Sequence, residues 1–209
     1  MPAKVVSLIN LKGGVAKTTT TVQLAECLAS QFGKNVLVID LDPQTNATIA
    51  LIGEDKWDEL DRKKQTVFQM FQDKLCDTSY FQVQQAIQKG VSNLNLKTLS
   101  LLPSSIQLID IQDKLKDIAE KTEIFPVEVL KHFIKPYLNN YDYVLIDCPP
   151  NLGNITKNGI EISDYFLIPT IPDKLSIYGV PQIIKSIHTF AGIRHLNIKC
   201  LGLVITQKC

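Results

Sequence analysis

The chain has 209 residues, 45% hydrophobic and 21% charged, with a formal net charge of +1. This is ordinary globular usage, enough for one sizeable core, and a balance so near neutrality does not announce a nucleic-acid partner through bulk charge. The five cysteines (27, 76, 148, 200 and 209) lack Cys-x-x-Cys spacing, which argues against a disulfide framework or a zinc site and suits a reducing compartment.

Met1-Pro2-Ala3-Lys4 leads straight into an apolar run, leaving no room for a signal peptide. No apolar run approaches the roughly 18 residues of a membrane span. A cytoplasmic location is expected. The first predicted strand is Val5 to Ile9, a continuous run suited to burial on both faces of a parallel sheet. A helix follows over 18–32, with Val22, Ala25, Leu28 and Ala29 on one face and Gly33 as its stop. The next buried strand covers 35–40, and the polar residues 54–65 read as a surface connection.

Further helices are predicted over 67–75 and 80–89, the second ending at Gly90, then a strand over 94–102. Helices over 105–121 and 127–138 lead to strands at 143–147 and 165–169, which flank a short helix near 155–162. A long helix near 175–190 precedes a last strand over 200–206. Without repeats, low-complexity tracts or linkers, this alternation predicts one doubly wound α/β domain over 1–209, with a mostly parallel sheet and helices on both faces.

Between the first strand and the first helix stands Leu11-Lys12-Gly13-Gly14-Val15-Ala16-Lys17-Thr18-Thr19. Paired glycines let a backbone turn tightly and aim its N–H groups at phosphate oxygens, and the positive end of the helix points the same way. Lys17 can reach the terminal phosphates, and the Thr18 hydroxyl can take a place on Mg²⁺. The usual P-loop has glycine where this chain has Leu11 and Ala16. Alanine is harmless at 16 if that residue is already helical, and costs about 1 kcal/mol if its φ is positive. Lys12 adds a second cation, and two cations on one loop make most sense with a polyphosphate nearby. The alternative is a solvated loop lysine.

Lys-Gly-Gly-x-x-Lys-Thr resembles the deviant Walker A box of the ParA/MinD family of ATPases. Val36-Leu37-Val38-Ile39-Asp40-Leu41-Asp42-Pro43-Gln44 is similar to the family's second box, and Tyr141 to Pro150 to its Walker B segment. Asp164 to Thr170, then Leu175-Ser176-Ile177-Tyr178-Gly179, resemble the following strand and helix of the ParA (Soj-like) branch. These segments span most of residues 4–206 in the family's order.

Open α/β sheets bind ligands beyond the C-terminal ends of their strands, so Asp40, Asp42 and Asp147 can converge on the cradle. Asp147 is suited to holding a Mg²⁺-bound water, and Asp40 to holding another or to pairing with Lys12. Asp42 could orient the attacking water, a role the resemblance assigns it; a helix N-cap is the alternative. Cys148 reads as a small buried residue, and Lys185, Arg194, His195 and Lys199 as a modest basic cluster, a solvated face more readily than a DNA contact.

The resemblance implies a P-loop ATPase that takes ATP through Lys12 to Thr19 and Mg²⁺ through Thr18, Asp40 and Asp147. It further implies that two subunits clasp two ATP molecules, each Lys12 reaching the partner's nucleotide as a point charge in the manner of an arginine finger. Such a switch binds nonspecific DNA as an ATP homodimer, associates with the nucleoid, and positions a plasmid, chromosome region or protein cargo. A ParB-like or cargo adaptor protein stimulates its hydrolysis. Family members also continue past the last strand, so a C-terminal segment is expected to be missing here. The alternatives are a MinD-like membrane switch, which needs an amphipathic C-terminal helix this chain does not display, and a metabolic P-loop enzyme of the same superfamily.

Overall fold

Three runs rich in Val, Leu and Ile form the centre of the sheet: β1 (Lys4–Leu8), β2 (Val36–Asp40) and β5 (Tyr143–Asp147). The computed structural model describes residues 2–118 and 124–206. Seven strands run in the order β3-β4-β2-β5-β1-β6-β7, with β3 (Gln88–Lys89), β4 (Leu99–Leu102), β6 (Tyr165–Thr170) and β7 (Lys199–Ile205) completing the set. All neighbours are parallel except β3, which pairs antiparallel with β4. Asp147 lies opposite Leu8 on one side and Asp40 on the other. The loops after β1, β2 and β5 therefore leave the sheet at the same edge.

One face of the sheet is covered by α1 (Lys17–Ser30), whose Ala25 and Ala29 pack on a cluster that includes Val6, Leu8, Val38 and Leu145. The second cluster joins Ile39, Ile146, Phe166 and Ile168 to residues of α4 (Val67–Cys76), α7 (Val129–Ile134), α8 (Asn154–Ile162) and α9 (Lys174–Arg194). Full burial of side chains such as Phe71 and Phe166 contributes about 1.5–3 kcal/mol each. Gly159 lets α8 approach closely, because a Cβ there would lie 3.2 Å from Ile146 Cγ2 and 3.3 Å from Leu41 Cδ1.

The doubly wound plan holds, and several predicted elements change. Residues 54–65 are no mere connection: Glu54–Arg62 forms α3, buries Leu60, and carries Lys56–Glu59, Lys63–Glu59 and Arg62–Asp58 pairs at helical spacing. The helix predicted over 80–89 contracts to α5 (Val83–Ala86), since Gln88 and Lys89 join the sheet as β3. The strand predicted from 94 begins at Leu99, after a left-handed turn at Asn95. Over 105–121 there are α6 (Leu108–Ile111) and a 3-10 turn, Gln112–Asp117, while 119–121 lie outside the described residues. The helix predicted over 127–138 is split into α7 and a 3-10 segment, Lys135–Asn140, with Pro136 near its start. A helix after β2, α2 (Asn46–Ile52), is not among the predicted elements and enters the sequence reading only through the alternative of Asp42 as a cap.

Candidate functional site

The loop from β1 to α1 is built on a buried side chain. Asn10 donates through Nδ2 to the Pro169 carbonyl (2.7 Å) and accepts the Lys12 N–H (2.9 Å), tying this loop to the end of β6. Gly14 takes φ +73°, and a Cβ at either Gly13 or Gly14 would meet no atom within 4 Å, so both glycines border open space. Ala16 sits at φ 58°, ψ 33°, outside the helix that begins at Lys17. Of the two conformations open to it, the left-handed one is found, at a cost of about 1 kcal/mol. Val15 is buried and its carbonyl accepts from Thr206 Oγ1, whereas Thr19 is exposed on α1.

Lys17 is buried, and its Nζ lies 3.4 Å from the Lys12 carbonyl. Thr18 Oγ1 donates to Asp147 Oδ2 at 2.7 Å, and Thr21 Oγ1 lies 3.4 Å from Asp147 Oδ1. Lys17, Thr18, Asp42 and Asp147 thus gather at the mouth of the strands. Burial pushes the Asp147 carboxyl up, against the Thr18 hydrogen bond that lowers it. Burial likewise raises Asp42, opposed by the Gln44 N–H and Lys17. Added positive charge at this edge would be favourable. The donor set is all oxygen, a hydroxyl with carboxylates, which fits a Mg²⁺ ion that keeps most of its waters.

Asp40 is differently employed. Its Oδ2 accepts the Thr48 N–H (2.9 Å) and hydroxyl (2.7 Å), and its Oδ1 accepts the Asp42 N–H (3.0 Å). Thr48 Oγ1 in turn accepts the Ser104 N–H, and Ser104 Oγ donates to the Asp42 carbonyl. Fully buried and facing Asp147, Asp40 is raised by desolvation first and by that second carboxylate next. Asp42 is not the cap of α2, a position Thr45 occupies; its Oδ1 accepts the Gln44 N–H inside the loop.

Of the two roles open to Asp40, pairing with Lys12 is not found. Lys12 Nζ instead forms an ion pair with Asp173 Oδ2 at 2.8 Å and lies 3.3 Å from Ser176 Oγ. Asp40 has its oxygens taken by Thr48 and the Asp42 N–H, whereas Asp173 begins α9 across the loop. The anion beside Lys12 is therefore the chain's own. The hydrogen bond from Lys12 holds the Asp173 carboxyl well below the usual carboxylate range.

Within the basic cluster Arg194 departs from a solvated face. Arg194 is clamped by Glu161 and Glu128 and stacks over Phe125, while Glu161 also accepts from Lys131 at 3.1 Å. Lys185, His195 and Lys199 are exposed. Cys148 is buried, as read, with its thiol pushed far up by burial. Asn10, Thr48, Ser104, Asp173 and Ser176 were missed. Only Asp173, with Ser176 three places on, left a trace, and that trace reads as a helix start.

The AAA domain family model matches residues 3–200. The sporulation initiation inhibitor protein Soj of Bacillus subtilis is 34% identical over 98% of this chain and 72% of its own length. Rv1708 of Mycobacterium tuberculosis is 31% identical, and the chain spans 58% of it. The chromosome partitioning protein ParA of Caulobacter vibrioides is 27% identical over 99% of this chain and 70% of its own. Among solved structures, the cobyrinic acid a,c-diamide synthase of Mycobacterium smegmatis with bound ATP analogue and magnesium superposes with a TM-score of 0.77 at 28% identity, covering 97% of this chain and 74% of that one. The ATP complex of Cyanothece McdA gives 0.77 at 24%, covering 97% and 70%, a likeness in fold alone. Among the described residues no helix is long and apolar enough to cross a membrane. The chain belongs to the ParA/MinD family of deviant Walker A P-loop ATPases, in its ParA (Soj-like) branch.

Proposed function

We propose that this chain is a Mg²⁺-dependent ATPase that works as a positioning switch. It would close on ATP as a homodimer, bind nonspecific DNA in that state, and release it after hydrolysis stimulated by a ParB-like or cargo adaptor protein. The observation that carries this reading is the convergence of Lys17, Thr18, Asp42 and Asp147 beside two glycines that border open space. Backbone N–H groups from Gly13 to Thr19, with Lys17, would hold the phosphates; Lys12 would act on the nucleotide of the second protomer. Thr18, and Asp147 and Asp40 through water, would hold Mg²⁺. The ion supplies neutralisation of charge on the phosphate oxygens. Asp42, beside Lys17 and held by the Gln44 N–H, would orient the attacking water. Burial raises its proton affinity against the pull of Lys17 and the Gln44 N–H, which suits a carboxylate that accepts a hydrogen bond from water.

A second reading, a metabolic P-loop enzyme, is favoured by the 28% identity to the diamide synthase. Co-sedimentation with nonspecific duplex DNA and with anionic liposomes, under ATP, ADP and no nucleotide across a salt series, separates them. The switch binds DNA only with ATP and more weakly as salt rises. Binding to neither surface, with or without ATP, refutes it in favour of the metabolic enzyme, and ATP-dependent liposome binding favours a membrane switch.

A further inference from the structure

Lys12 and Asp173 lie 161 positions apart in sequence, yet the loop that carries Lys12 is bound both to β6 and to the start of the helix that follows it. The Asn10 bracket joins the Lys12 backbone to the end of β6, through the Pro169 carbonyl and the Lys12 N–H. The ion pair then joins the side chains of Lys12 and Asp173. Asp173 divides its two oxygens between two tasks. Oδ1 accepts the Ser176 N–H at 3.0 Å and so caps α9, while Oδ2 receives Lys12 Nζ at 2.8 Å and the Ser176 hydroxyl at 2.7 Å. The cap would be complete without the lysine.

A lysine that must reach into another subunit cannot at the same time sit on a carboxylate of its own. We infer that Asp173 is a positioning residue that parks Lys12 within its own protomer, so that dimer closure requires this ion pair to be exchanged for the partner's phosphates. The inference rests on the reading of Lys12 as the residue that acts across the dimer. Exposure supports a releasable contact: the side chains of Lys12 and Asp173 are 39% and 35% accessible. A pair fully buried at this place would be a permanent strut, because separating it would strand a charge without water. One more than a third in water is weak enough to yield to a triphosphate, which offers several negative charges where Asp173 offers one. Ser176 shares the carboxylate oxygen and keeps it facing the lysine during exchange. Closure therefore has a threshold set inside each monomer, and nucleotide must reach it from both sides.

Asp173→Asn isolates the pair, since asparagine caps helices as well as aspartate and keeps an oxygen for the Ser176 N–H. Wild type, Asp173→Asn and Lys12→Ala are compared in two measurements. In nucleotide-free protein, acetylation of the Lys12 amine is timed by peptide mass spectrometry against exposed Lys34 as internal standard. Lys12 should react severalfold faster in Asp173→Asn; an unchanged rate overturns the inference. In the second, sedimentation velocity with Mg²⁺ and a non-hydrolysable ATP analogue gives the protein concentration for half-dimerisation. Exposed ion pairs are worth at most about fivefold each, and a dimer breaks two, so Asp173→Asn should assemble at a concentration up to about 25-fold lower. That gap should narrow as salt is raised, which loss of a mere packing contact would not do. Equal assembly of wild type and Asp173→Asn, with Lys12→Ala failing to assemble, overturns the parked lysine and leaves the proposed switch standing. Assembly of Lys12→Ala like wild type, or of no variant at all, removes the switch and the inference with it.

Discussion

Replacing Ala16 by glycine tests how the cradle is held in shape. With φ 58° and ψ 33°, Ala16 holds a left-handed conformation that costs an L-residue about 1–2 kcal/mol and glycine nothing. Glycine gives back about 0.4–1 kcal/mol, because its unfolded chain has more freedom to lose. The difference favours Ala16→Gly by roughly 0–1.5 kcal/mol, or a rise of up to about 5 °C in Tm at this chain length. ATP binding should move less than about threefold, since the loop already holds the conformation that glycine would relax into. Thermal unfolding and calorimetric titration with an ATP analogue and Mg²⁺ check both numbers. Tenfold tighter binding in Ala16→Gly would mean that alanine strains the cradle out of its binding shape, and the reasoning fails. A lower Tm would be equally damaging, because the left-handed φ would then carry no cost.

Thr48→Val should destabilise the protein by about 2–3 kcal/mol, since it takes a donor from buried Asp40 and the acceptor from the Ser104 N–H; a urea-unfolding loss under 1 kcal/mol speaks against it. Arg194→Ala leaves Glu161, 1% accessible, with Lys131 as its remaining partner, and about 2–4 kcal/mol should be lost in the same assay. Asp40 and Asp147 both titrate above the ordinary carboxylate value of 3.8, so the folded chain keeps protons that the unfolded chain has released. Stability without Mg²⁺ should then be greatest near pH 4 and fall as the pH climbs toward about 8. A midpoint that rises across that interval contradicts this, and Mg²⁺ with an ATP analogue should flatten the slope.

What the chain discloses by itself is what neighbours in sequence decide. Gly13, Gly14, Lys17 and Thr18 all fall in one short stretch between the end of β1 and the start of α1, and Asp40 and Asp147 each close an apolar run, so both the cradle and the strands beneath it can be read directly. Asp40 and Lys12 are a plausible pair on the same reasoning, because nothing local reports that Thr48 and the Asp42 N–H already occupy that carboxylate. The counter-ion of Lys12 arrives from the start of α9, a contact that exists only once β1 and β6 lie side by side. Helix α3 hid for a different reason. With Leu60 as its buried residue, it has almost no apolar stripe, and the charge pairs that support it look like a solvated loop. Arg194 erred in the opposite direction: grouped with other cations by sequence, it is neutralised by glutamates from two other segments.

Thr206 follows β7 with one hydroxyl hydrogen and two carbonyls in range, those of Val15 and Thr170, each at 3.1 Å. The Thr170 oxygen already receives the Thr206 N–H at 2.8 Å, so the hydroxyl can be spared for Val15. The end of the last strand and the phosphate loop are thereby joined by a side-chain hydrogen bond. Anything that tugs on the last strand, whether a bound protein or more polypeptide, would be felt at residue 15 before any nucleotide contact changes.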